Sequence, residues 1–145
     1  IIRPHFHDRN KIKILKLWAK YSGFNNVYFS NPAKIIENST MNDFAISDLM
    51  ISDTSSIIYE YLITKKPIII ANNDYDQLHN MPDELSVLSI AKSYDGEKSS
   101  IRERVKSDLE DKNLINIYEK MLNNCFYFND GKSTDRAVEF IKSIK

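Results

Sequence analysis

Three glycines, four prolines and one cysteine are scattered through 145 residues, and each shortage removes a class of chemistry. With glycine only at positions 23, 96 and 131, neither a Walker loop nor a dinucleotide-binding glycine turn can be built. Any phosphate must be held by hydroxyls and backbone amides instead. The single cysteine, Cys125, excludes a disulfide framework and a cysteine-based zinc site, and fits a reducing compartment. Net charge is also missing. Twenty Lys and Arg residues balance twenty Asp and Glu residues, so the total suggests neither a nucleic-acid footprint nor a polybasic membrane tether. No apolar run approaches the ~20 residues of a membrane span, and no signal peptide is visible. The expectation is a soluble, cytoplasmic chain with no nucleic-acid partner and no membrane span.

The length suits one domain over residues 1–145 with a sizeable core. The chain begins at Ile1 without an initiator methionine, so it reads as a piece of a longer protein. Short apolar runs alternate with amphipathic stretches. Extended segments are expected from Ile1 to His5, Asn26 to Ser30, Leu49 to Ser52 and Pro67 to Ala71. Helices are expected over Lys11–Tyr21, closed by Gly23, and over Met41–Asp48, capped by Thr40 or Asn42. Further helices should cover Ser55–Thr64, Ser100–Asp111, Asn113–Asn124 and Ser133–Ile144, the last capped by Ser133. Residues 72–83 read as a loop, and Glu84 to Ala91 is open between helix and strand. Strands that are apolar throughout, alternating with helices, imply a parallel sheet covered on both faces. The fold class is α/β, a Rossmann-like parallel sheet with flanking helices.

Such a sheet binds ligands beyond the carboxyl ends of its strands. The most informative candidate is Asp53-Thr54-Ser55-Ser56, where an apolar strand breaks into a carboxylate and three hydroxyls just before a helix. One reading is a helix cap, for which a single Asp or Ser suffices. The other is an anion site, because helix-terminal N–H groups and the dipole favour negative charge. The residues alone leave both open. His5 and His7 bracket Phe6 at the end of the first extended segment. Either could protonate a leaving phosphate or be an ordinary surface histidine; their spacing permits metal binding, but no carboxylate stands at ligand spacing. Glu60, one turn into the following helix, meets ligand hydroxyls or is simply exposed. Arg136 falls in the first turn of the last helix, where the dipole disfavours a cation. That placement asks for a carboxylate or phosphate partner. Cys125, beside Phe126-Tyr127-Phe128, reads as buried rather than reactive.

Several of these pieces together resemble the CDP-glycerol:poly(glycerophosphate) glycerophosphotransferase family, the teichoic-acid polymerases and primases. Arg3-Pro4-His5 is similar to the basic-x-His segment heading the family's carboxyl-terminal half. Ala45 to Ser56 looks like its strand followed by Ser-Asp-x-Ser-Ser, the most specific element. Tyr59-Glu60-Tyr61, Lys66-Pro67-Ile68-Ile69-Ile70 and Asp74 match the next elements in order, and Phe126 to Arg136 resembles the terminal Asp-Gly…Arg motif. The chain departs from the pattern at Phe6, where proline is usual, and at Thr54, where an aromatic is commoner.

The resemblance implies the carboxyl-terminal, nucleotide-binding domain of a two-domain GT-B architecture. The donor would be a CDP-alcohol, CDP-glycerol or CDP-ribitol. The polymeric or lipid-linked acceptor would bind through an amino-terminal domain that this piece lacks, leaving it inactive alone. The full-length enzyme would sit peripherally at the inner face of the cell membrane. Residue by residue, Ser55, Ser56, Thr54 and Arg3 would bind the donor diphosphate. His5 would be catalytic, contacting the phosphates or protonating the departing CMP. Asp53, Glu60, Asp74 and Arg136 are candidates for ribose or other ligand contacts, with Asp53 also the favoured helix cap. No protein-bound metal is expected, although magnesium bridging the donor phosphates stays open. Two rivals remain: a GT-B domain using a UDP-sugar, and a noncatalytic α/β binding module.

Overall fold

The apolar triplet Ile68-Ile69-Ile70 is buried along its whole length, and the second half of the chain is arranged to cover it. The computed structural model describes residues 1–34, 36–53, 55–71, 81–94 and 100–144. Thr54 and Asp74, together with residues 72–80 of the loop expected over 72–83, lie outside the described residues. The chain divides into two compact units, Ile1–Ser47 and Asp48–Lys145.

In the first unit the two expected strands reduce to one parallel bridge between Ile2 and Phe29. The Ile2 amide donates to the Tyr28 carbonyl (2.8 Å) and the Ser30 amide to the Ile2 carbonyl (3.0 Å). Pro4 has no N–H to extend the ladder, and Asn25-Asn26 are poor strand formers. Beyond the bridge the chain turns through a 3-10 segment, Phe6–Lys11, into α1, Ile12–Tyr21. Its end is a Schellman arrangement. Gly23 takes φ +74°, the Phe24 amide donates to the Ala19 carbonyl (3.0 Å) and the Gly23 amide to that of Lys20 (3.3 Å).

The apolar residues of α1 form two rows rather than one face. Ile12 and Ala19 are buried with Leu15 half-buried, whereas Ile14, Leu17, Trp18 and Tyr21 are exposed. Helix α2, Thr40–Ile46, starts with Ser39 at its N-cap, and the Ser39 side chain makes no cap bond. Neither Thr40 nor Asn42 is therefore the cap.

The second unit holds β1 (Met50–Ser52), α3 (Ile57–Tyr61), β2 (Ile68–Ile70) and β3 (Lys92–Ser93). After these come α4 (Ile101–Glu110), α5 (Leu114–Cys125) and α6 (Ser133–Ser143). The sheet is parallel in the order β1-β2-β3, with Met50 opposite Ile68 and Ile69 opposite Lys92. With helices interleaved, it is a Rossmann-like α/β arrangement. Glu84 to Ala91 is neither helix nor strand, but turns ending in a 3-10 segment, Val87–Ser89. Strand β3 was not signalled, because two polar residues carry no apolar pattern.

Helix α3 is shorter than expected and passes into a 3-10 turn, Leu62–Thr64. Ile58, Tyr61 and Leu62, three and four residues apart, bury their side chains. Lys65 ends the turn at φ 55° and pairs with Glu119 of α5. Leu114, Tyr118, Met121 and Leu122 form the buried stripe of α5. Tyr118 reaches the central strand: its hydroxyl accepts from the Ile68 amide (3.1 Å) and donates to the Ile68 carbonyl (3.3 Å).

Burial raises the Tyr118 hydroxyl above its ordinary 10.0, since the phenolate would lose its solvation. Removing the hydroxyl by Tyr118→Phe leaves the Ile68 amide without that partner and should cost about 2 kcal/mol in urea unfolding. A folded-state pKa above the unfolded one stabilises fully below 10.0 and less as pH rises past it. The gap between wild type and Tyr118→Phe should therefore narrow in strongly alkaline buffer.

Candidate functional site

Because the sheet is parallel, all of its strands open toward the same edge. Asp53, Ser55 and Ser56 follow directly from the carboxyl end of β1. The Ala71 amide donates to the Ser52 carbonyl (2.8 Å) there, and the Tyr94 amide to the Ile70 carbonyl (2.7 Å). Asp53 and Ser56 are exposed and Ser55 is half-buried.

The capping explanation can be tested directly among the described residues. The N-cap of α3 is Ser56, not Asp53, and its side chain makes no cap hydrogen bond. The Ser55 hydroxyl accepts from the Ile57 amide only at 3.5 Å. The Ile58 and Tyr59 amides donate to the carbonyls of Ser55 (3.1 Å) and Ser56 (3.0 Å). Ligand binding would thus fall to the hydroxyls more than to a row of helix amides. A five-residue helix also supplies less dipole than a long one. Glu60 is exposed in the same short helix.

In the first unit, His5 is exposed. Its Nδ1 accepts from the His7 amide at 3.3 Å, so a neutral ring carries its proton on Nε2. The two imidazole centroids are 5.0 Å apart. Asp8, half-buried and paired with Lys11 (2.8 Å), is held below the usual carboxylate range chiefly by that lysine. Among the described residues no three His, Cys, Asp or Glu side chains converge as a metal-ligand group.

Arg3 has a structural task. Its Nη1 donates to Asp43 Oδ2 (2.7 Å), Ser30 Oγ (2.7 Å) and the Asn38 carbonyl (2.9 Å). Ser30 Oγ in turn donates to Asp43 Oδ2 (2.5 Å). Asp43 and Ser30 are both buried, and sequence reasoning singled out neither in this role. Their partner lies 40 residues from Asp43 in the chain, beyond any local pattern.

A model of the CDP-glycerol:poly(glycerophosphate) glycerophosphotransferase family matches residues 1–143. The chain belongs to that family. No curated protein and no solved structure matched it. Membership supports glycerophosphotransferase-type chemistry with CDP-glycerol as the activated compound.

Within this member of the family, the partner that Arg136 required is a carboxylate. Arg136 Nη1 lies 3.0 and 2.9 Å from the two oxygens of Asp130, and its guanidinium stacks 4.2 Å from the Phe128 centroid. Ser133 opens α6 without being its cap; Lys132 holds that position. Cys125 is half-buried, and burial pushes its thiol above the ordinary 9.0, which disfavours the reactive thiolate.

The Arg136 hydrogen bond is the largest cause holding the Asp130 carboxyl below 3.8, followed by the Lys132 amide. A depressed carboxylate pKa stabilises the fold above 3.8 and less as pH falls through the folded value. Carboxyl-carbon NMR should give Asp130 a midpoint below 3.8. Arg136→Ala should move it upward, short of full recovery because the Lys132 amide still donates at 3.0 Å.

Proposed function

We propose that this chain is the donor-nucleotide domain of a CDP-alcohol phosphotransferase, the carboxyl-terminal half of a GT-B enzyme of teichoic-acid or capsule synthesis. In this reading Ser55 and Ser56 donate hydrogen bonds to the diphosphate of CDP-glycerol or CDP-ribitol. The observation that carries it is the position of the two serines past the carboxyl end of β1, where the Ser56 hydroxyl makes no helix-cap bond. Family membership supports this class of donor.

The reaction transfers glycerol phosphate or ribitol phosphate. An acceptor hydroxyl attacks the outer phosphorus, the P–O bond of the diphosphate bridge breaks, and CMP leaves with the bonding electrons. Charge accumulates on the departing phosphate, which is where hydrogen-bond donors lower the barrier most. Following the resemblance, His5 is assigned to contact the departing phosphate as a neutral imidazole, donating a hydrogen bond from Nε2–H while Nδ1 accepts from the His7 amide. Arg3 contributes by anchoring the segment that carries His5. The acceptor binds to a further domain.

Calorimetric titration of CDP-glycerol and CDP-ribitol into the wild type and a Ser55→Ala/Ser56→Ala variant tests the assignment. Loss of two charge-assisted hydrogen bonds should weaken binding by roughly tenfold or more. Equal affinity for both proteins would remove the serines from the donor site. Tighter binding of UDP-sugars than of CDP-alcohols would favour the glycosyltransferase reading.

A further inference from the structure

The zero net charge is a cancellation between the two units. Ile1–Ser47 has seven Lys and Arg against three Asp and Glu, a formal +4, and Asp48–Lys145 has thirteen against seventeen, a formal −4. All three carboxylates of the first unit are engaged: Asp43 with Arg3 (2.7 Å), Asp8 with Lys11 (2.8 Å) and Glu37 with Lys34 (2.6 Å). Lys13, Lys16 and Lys20 are exposed and, among the described residues, have no carboxylate partner. Their i, i+3, i+7 spacing puts them in one row along α1, about 10 Å from end to end. Such a row destabilises the helix. Like charges three and four residues apart repel, and Lys13 stands in the first turn, where the dipole disfavours a cation. No carboxylate of the unit is left to offset that repulsion.

We propose that the Lys13-Lys16-Lys20 row holds a linear phosphodiester polyanion, the poly(glycerophosphate) chain, with successive phosphates along the three ammonium groups. The identity of the polymer rests on the reading above, and it is the polymer for which the family is named; the row itself does not depend on that reading. Charge complementarity selects the occupant. Three cations in line match a charge that repeats along a chain, whereas a diphosphate concentrates its charge at one point. Sites for single-stranded nucleic acid add aromatic platforms on which bases stack. The ring beside this row, Phe29, is half-buried and lies 5.9 Å from Lys16 Nζ. A glycerol phosphate chain has no base to stack and is met by charge alone. An open row on one helix suits repeats that slide past it rather than a single terminus. The terminal hydroxyl that attacks the donor stays with the further domain, and α1 retains the repeats behind it.

The test is fluorescence anisotropy of labelled poly(glycerophosphate) oligomers of increasing length, titrated with the chain at several salt concentrations. Binding should strengthen with length and level off once the phosphates span the three lysines. Its salt dependence should have a log–log slope of roughly −2, about 0.7 for each contact as in single-stranded polyanions. Lys13→Gln/Lys16→Gln/Lys20→Gln should weaken binding at least about tenfold at low salt and flatten that slope. Lys13→Arg/Lys16→Arg/Lys20→Arg should retain both. Lys106→Gln/Lys112→Gln/Lys120→Gln removes the same charge from exposed positions of the second unit and should change the affinity by less than about twofold.

Equal losses in the two glutamine triples would make the effect one of total charge and overturn the proposal. So would absence of binding, affinity independent of oligomer length, equal affinity for poly-glutamate, or tighter binding of an oligonucleotide with the same number of phosphates. The donor reading is judged separately, because the glutamine triple at Lys13, Lys16 and Lys20 should bind CDP-glycerol as the wild type does. If Ser55→Ala/Ser56→Ala leaves CDP-glycerol binding intact while the lysine triple loses the polymer, the donor reading fails and the row stands. If the lysine triple loses CDP-glycerol instead, the row serves the nucleotide and the proposal is overturned.

Discussion

Burial of Ile68-Ile69-Ile70 on both faces and both edges is the constraint that organises the second unit. A strand with no solvent-facing side chain must be flanked by two others and covered by helices. Here β1 and β3 run parallel to it, and α5 reaches it through the Tyr118 hydroxyl at Ile68. Parallel pairing forces every return connection across the sheet, so the strands end on one edge. The Ser55-Ser56 hydroxyls stand at that edge for this topological reason, whatever they bind.

The first unit is tied by polar rather than apolar means. Among its described residues the buried apolar side chains are Ile12, Ala19 and Phe44. The Arg3 guanidinium gathers Ser30, Asn38 and Asp43 around one nitrogen. Removing one partner from such a cluster leaves a charge without compensation, typically at a cost of about 3 kcal/mol. The cluster fixes the backbone that leads into His5 and leaves the imidazole exposed. Through Nη1 the arginine orders the segment that carries His5.

Much of this was legible in the residues. Amphipathic period located α1, α4, α5 and α6 within about one residue of their ends, and continuous apolar runs located β1 and β2. The dipole argument at Arg136 anticipated a partner, and Asp130 is that partner. What stayed hidden was non-local or too short to have a period. Strand β3 is two polar residues whose pairing is imposed by β2. The expected strands around Ile2 and Phe29 stop at a single bridge. The role of Asp43 depends on an arginine 40 residues away. A net charge of zero concealed an acid-free stretch of lysines, because a sum carries no information about position.

The donor assignment rests on the carboxyl edge of the sheet, and NMR of the amide-labelled chain during addition of CDP-glycerol examines that edge residue by residue. The account predicts that the largest saturable shifts fall on the Ser55, Ser56 and Ile57 amides, with α4 and α6 unmoved. Shifts confined to those helices, or no shift at saturating donor, would contradict it.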